Sequence, residues 1–258
     1  MNMLRSEWLK IRSVRSTGLL LVLSLGAILL GVAIARTAAG MYDDTTPAKR
    51  VTASIAELEE VLIIVPQLCM GILGVLAMTS EYATGMIRTS LTVVPKRWPV
   101  LAAKAAVVGA LGLLTGNVTI FSTYFLVRQT IGDRFSGTYL TPFLDRLPTL
   151  AATGLTVCVF ALLGLGLGAL TRSTAGAVAV LVGLAYVIPM IVGKLPSPWK
   201  DWLGSMMISA LPREMSGAPF KSSVYGTSLS PAAAVAVLAA YALVPMLAGT
   251  WHLRHRDT

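Results

Sequence analysis

Acidic residues are scarce in this chain, 12 against 21 Lys and Arg, and charges of either sign make up only 13% of its 258 residues. A typical water-soluble domain carries about 25% charged residues, so this composition excludes an ordinary soluble fold. Catalytic side chains are thin on the ground too. There are two His and two Cys, and no grouping of Ser, Cys or carboxylate with a base that would make an activated nucleophile. Cys69 and Cys158 both fall in apolar runs and read as small core residues rather than a disulfide. His252 and His255 flank Arg254 with no third ligand nearby, so no metal is expected. No basic stripe interleaved with aromatics occurs, so no nucleic-acid partner is expected either. A G-x-x-x-x-G-K-[ST] run is missing. The glycine-rich stretch Gly164-Leu-Gly166-Leu-Gly168 leads into Leu170-Thr-Arg172 without a Lys to reach a phosphate, and reads as helix packing.

What is present is apolar: 55% of the residues, with a mean hydropathy of +0.74. Six runs carry no charge, at 16–35, 61–80, 105–127, 147–171, 173–193 and 231–251. Roughly 20 residues rise about 30 Å as a helix, the thickness of a bilayer's hydrocarbon core. A backbone group left unpaired in lipid costs several kcal/mol, so only helices or closed barrels span. The alternating segments of a barrel are absent. The sequence predicts an all-α integral membrane protein, one transmembrane domain over 1–258 with six transmembrane helices. Ala33-Ile-Ala35 has the small-x-small form of a signal-peptide cleavage site, but an apolar core of about 19 residues is too long for such a peptide.

Arg5, Lys10, Arg12, Arg15, Arg88, Lys96, Arg97, Lys104, Arg172, Arg254 and Arg256 lie in short segments on one side of the spans, and the longer loops hold the other basic residues. Basic density near the span ends predicts a cell-membrane protein with both termini in the cytoplasm. In the opening segment, 1–15, Leu4, Trp8, Ile11 and Val14 recur at helical spacing among charged residues. That pattern fits an amphipathic helix lying at the headgroups through Trp8, Lys10 and Arg12, and it fits a plain basic leader equally well.

A polar island separates spans two and three: Glu81-Tyr-Ala-Thr-Gly85-Met-Ile-Arg88-Thr-Ser-Leu91, closed by Pro95-Lys96-Arg97. Glu81, just outside its span, is expected either to stay hydrated or to pair with Arg88 two helical turns on. Gly85 allows a sharp bend, and Pro95 and Pro99 bracket another. The outcome expected is a short helix held under the membrane.

The six spans, the opening Glu7-Trp-Leu-Lys-Ile-Arg12, this Glu, Gly, Arg, Leu island and a large loop between spans five and six together resemble the ABC-2 type of ABC exporter permease. The resemblance covers the whole chain. It implies that 81–97 is a cytoplasmic coupling helix whose Glu81, Gly85, Arg88, Leu91 and Arg97 dock onto a separate cytosolic ABC ATPase subunit, present in two copies. ATP and Mg would belong to that subunit, leaving this chain with no cofactor and no catalytic residue. The resemblance also implies a second permease copy or a paralogue, and short re-entrant helices between spans five and six.

Small-residue stripes line span one (Ala27, Gly31, Ala35) and span five (Ala175, Ala179, Gly183). Close approach of small faces drives helix association in lipid. These stripes serve either a seam between two permease copies, as the resemblance implies, or packing within one chain. In the loop 194–230, Trp199, Trp202, Leu203, Met206 and Met207 follow helical spacing and predict an amphipathic helix ending near Pro212. By resemblance this is an extracellular gate, and otherwise a surface anchor. Gln67 and Asn117 either line a pathway or bond across helices. Glu57, Glu59 and Glu60 cluster at the outer mouth of span two with no basic partner near in sequence. No ionisable residue lies mid-span, which argues against an ion-coupled carrier. The function expected is ATP-driven export of an apolar or amphiphilic substrate (drug, peptide antibiotic or lipid). A non-transporting membrane sensor or partner-anchoring protein is the second reading.

Overall fold

The structure, a computed structural model, describes residues 2–83, 97–135, 138–218 and 229–255. Among these the chain is helical without strands, and six helices are long and apolar enough to cross a membrane. A short α1 (Asn2–Ser13) precedes α2 (Arg15–Asp43), the first span. After a single turn α3 (Pro47–Arg50), the second span is built from α4 (Leu58–Leu62) and α5 (Ile64–Ala83). The third is α6 (Arg97–Ile131), followed by a 3-10 turn at Thr138–Leu140, and the fourth is α7 (Phe143–Thr171). The fifth runs through α8 (Thr174–Val182), a π turn at Gly183–Val187, and α9 (Ile188–Val192). Two short helices follow, α10 (Trp199–Ser205) and α11 (Leu211–Ser216), before the sixth span, α12 (Pro231–His255).

Several helices outrun the uncharged stretches. α2 carries Arg36 and continues to Asp43, α6 carries Lys104 and Arg128, and α4 begins ahead of Glu59 and Glu60. A charge ends a stretch that lipid tolerates but does not end a helix, because the backbone ladder is indifferent to it.

The fourth span is the hub: 78% of its apolar window is buried, against 17% for the fifth span and 22% for the sixth. Its glycines explain how three neighbours reach it. Gly164 and Gly168, one helical turn apart, face α5; a methyl on Gly164 would overlap the Gly71 carbonyl, and one on Gly168 would come within 3.0 Å of the Val75 oxygen. Gly74 returns the contact, where a methyl would overlap the Ala161 carbonyl. Gly166 lies on the other side of α7, where a methyl would stand 2.7 Å from Pro245 of α12. On the α6 side a methyl on Gly116 would overlap the Gly154 carbonyl. The Gly-x-Gly-x-Gly pattern is therefore helix packing, as expected, on two faces at once. At its end Arg172 adopts the left-handed conformation (φ 51°), and the Ser173 hydroxyl caps α8 by accepting from the Gly176 N–H at 3.3 Å. Cys69 and Cys158 are both free.

Candidate functional site

α1 is held to the spans by charge. Glu7 and Lys10, one turn apart on α1, share a face, and that face meets Glu81 in the last turn of α5 and Lys104 near the start of α6. Lys104 Nζ donates to Glu7 Oε2 at 2.6 Å and to Glu81 Oε1 at 2.7 Å. Lys10 Nζ donates to Glu7 Oε1 at 2.8 Å and to Glu81 Oε1 at 2.9 Å. Two cations and two anions thus alternate around a closed ring, and Glu7, Glu81 and Lys104 are buried. A buried charge survives only where it is paired and hydrogen-bonded, which all four are. Burial alone would raise the Glu7 carboxyl pKa, but hydrogen bonds from Lys10 and then Lys104 outweigh it and hold the group below its ordinary value. Burial likewise draws Lys10 down, and the Glu7 and Glu81 carboxylates more than reverse that, leaving it raised.

This corrects the expectation for Glu81. It is buried and not at water, its partners Lys10 and Lys104 stand 71 and 23 residues away, and the expected pairing with Arg88 falls outside the described residues. Gly85, Arg88 and Leu91 lie outside the described residues, as does most of the 81–97 segment; Arg97 is the first residue of α6. Glu7 and Lys104 were not singled out from sequence. A signal existed: Glu7 is the one acid in a basic helix, and Lys104 the one charge between Arg97 and Arg128.

The apolar spacing of α1 divides. Ile11 is buried beside Glu7, whereas Leu4, Trp8 and Val14 are exposed, as is Arg12. The face docked on the spans is thus the Glu7, Lys10, Ile11 face, and Trp8 points elsewhere.

Of the two roles open to the span-one stripe, the structure shows packing within the chain. Ala27, Gly31 and Ala35 are buried inside this chain, and a methyl on Gly31 would meet Thr123 Cγ2 at 3.0 Å and Leu62 Cδ1 at 3.1 Å. α6 and α4 fill that face. Ala175 and Ala179 are exposed, and a methyl on Gly183 would meet open space, so among the described residues nothing packs on the span-five stripe. Gln67 is buried and donates to the Thr156 hydroxyl at 2.7 Å, while Asn117 donates to the Leu113 carbonyl of its own helix at 2.8 Å and abuts Gly154. Both do the work of cross-helix or local bonding.

At the opposite end of the bundle Glu57, the residue before α4, and Glu59 and Glu60 in its first turn do have basic partners. Arg146 Nη2 stands 3.2 Å from Glu57 and from Glu59 and 3.4 Å from Glu60. Arg213 of α11 reaches Glu60 at 2.9 Å and also pairs with Glu57. The Tyr139 hydroxyl donates to Glu59 and accepts the Leu58 N–H at 3.0 Å. Burial first, then the Glu59 carboxylate, push the Tyr139 phenol up, so it stays a neutral donor. These partners come from 80 to 156 residues away, beyond any local pattern.

The single helix expected over 199–211 is two. α10 stops at Ser205, and Pro212, expected to end a helix, sits in the first turn of α11, where its missing N–H costs nothing. Trp199 and Trp202 are exposed, Met207 is buried and Met206 is intermediate, with its carbonyl accepting from the Tyr241 hydroxyl at 3.3 Å. Among the described residues no group of His, Cys, Asp and Glu could hold a metal ion.

Comparison with known proteins finds no family model that matches this chain and no matching curated protein.

Proposed function

We propose that the chain is the membrane-spanning subunit of an ATP-driven exporter of the ABC-2 type. Two copies, or one with a paralogue, would work with two cytosolic ATPase subunits that hold ATP and Mg. The observation that supports this best is the ring of Glu7, Lys10, Glu81 and Lys104. It joins α1 to the two helices that flank the polar island, so a push on the island or on α1 is passed to spans two and three together. In this reading the termini are cytoplasmic, the island with Gly85, Arg88, Leu91 and Arg97 receives the ATPase, and Trp8 and Arg12 rest at the headgroups. The exposed Ala175, Ala179 and Gly183 face is the surface offered to the second copy. α10 and α11, with Trp199, Trp202, Met206 and Met207, form the outer cap of a pathway for an apolar or amphiphilic cargo.

Reconstitution tests it. The purified chain should hydrolyse no ATP, and co-expression with a P-loop ATPase from a neighbouring reading frame should give a complex with two nucleotide sites and cargo-stimulated turnover. Arg88→Ala and Gly85→Val should insert normally yet lower that turnover. A chain that never retains an ATPase, or variants that turn over like wild type, would reject the reading in favour of a membrane sensor or anchor.

A further inference from the structure

A cleft of about 350 Å³ opens at the amino-terminal end of the bundle, among α1, the start of α2 and the end of α5. Its lining changes along the helices. From Leu73 and Leu76 on α5 and Leu20 on α2 it is apolar, and toward Ser80, Ser16 and Lys10 it becomes polar. Ser80 lies at the end of span two and Ser16 at the start of span one, so the polar mouth stands at the end of the spans, where headgroups meet the hydrocarbon. That gradient matches a lipid molecule, chain inward and head outward. The volume is at the lower end of the range for ligand sites, about 300–1,000 Å³, which suits a single chain.

Charge selects the head. The buried acids Glu7 and Glu81 are balanced by Lys10 and Lys104, so the ring adds no net charge. Arg5 is exposed and lines an adjoining hollow that shares Lys10 and Ser13 with the cleft. With the ring neutral, Arg5 gives the mouth a positive side. Lys10 has three N–H donors, gives two to the carboxylates, and is one-third exposed, so a further donor faces outward.

We propose that this cleft holds one acyl chain of an anionic phospholipid, its phosphate at the mouth against Lys10 and Arg5, as a built-in part of the joint between α1 and the spans. The inference does not depend on the exporter reading.

Native mass spectrometry of the full chain, purified in neutral detergent with equal phosphatidylglycerol and phosphatidylcholine, tests it. One phosphatidylglycerol per chain should survive where phosphatidylcholine is lost. Ala77→Phe, which carries a ring into the cleft, should abolish retention. Ser80→Trp, at the exposed rim, serves the same purpose if Ala77→Phe fails to fold. Arg5→Gln should weaken the preference for phosphatidylglycerol about fivefold while leaving the fold intact. Equal retention of the two lipids, retention untouched by either plug, or a bound mass of inorganic phosphate or peptide instead of lipid would each overturn the proposal.

Discussion

Lys104 Nζ sits 2.7 Å from Glu81 Oε1, tying the start of α6 to the end of α5 on either side of the polar island. The same ammonium reaches Glu7 at 2.6 Å, so one side chain fastens three helices at one point. Its loss should be felt out of proportion to a single ion pair.

Lys104→Met should therefore leave Glu7 and Glu81 buried with Lys10 alone between them and destabilise the chain by about 3–5 kcal/mol. Adding Glu81→Gln should recover a large part of this, because the remaining carboxylate again has one cation. Thermal unfolding in detergent of both single variants and the double would measure the coupling. Additive losses would mean that the ring does not act as a unit.

The ring also sets a pH window. The folded-state pKa of Glu7 is lowered, so its stabilisation is present above the ordinary carboxylate value and lost as pH falls through the folded value. Lys10 is raised, so its stabilisation is present below the ordinary lysine value and lost as pH rises through the folded value. The joint should hold between pH 4.5 and 10.5, the ordinary values of the two groups, and weaken outside them on both sides. Unfolding of wild type against Glu7→Gln across pH checks this: the difference should shrink on the acid side, and a constant difference would contradict it.

At the hub, Gly164→Ala should drive a methyl into the Gly71 carbonyl, push α5 and α7 apart and cost about 1–3 kcal/mol or more. Gly183→Ala meets open space and should be close to neutral in stability. Melting temperatures of the two variants in the same detergent would separate the packed glycine from the open one.

The six spans were legible because lipid forbids charge over a length fixed by bilayer thickness, and an uncharged run of that length is visible in sequence. Span ends were not, since Arg36 and Arg128 continue their helices. Small-residue stripes were visible in spans one and five, but not what faces each of them. Gly31 and Ala179 carry the same signal, and only the packing of Thr123 and Leu62 against Gly31 tells the internal face from the open one. The two ion clusters were hidden for another reason. Glu7 with Lys104, and Glu57 with Arg213, are set by how helices far apart in sequence meet, and no local spacing encodes that. The amphipathic spacing from Trp199 continues past Ser205 and so predicts one helix, whereas the backbone turns there and Arg213 reaches back to the start of α4.

That reach gives the last prediction. Arg213 links α11 to the acids at the start of α4, through Glu60 at 2.9 Å and through Glu57 just before it. Arg213→Ala should remove these two contacts and throw more of the load on Arg146, which already serves Glu59 as well. Losing one partner of a buried pair costs about 3 kcal/mol or more, so local opening of 199–216 should rise roughly a hundredfold if α11 detaches as a unit. Arg213→Lys should fall between, because an ammonium keeps the charge but not the fork that serves two carboxylates. Tyr139→Phe, which removes only the hydroxyl on Glu59, should leave this segment's exchange close to wild type. Amide hydrogen exchange of the chain in detergent or nanodiscs reads all three. If Arg213→Ala exchanges no faster than wild type over 199–216, α11 is held by Leu211 and its apolar neighbours and not by the charge cluster.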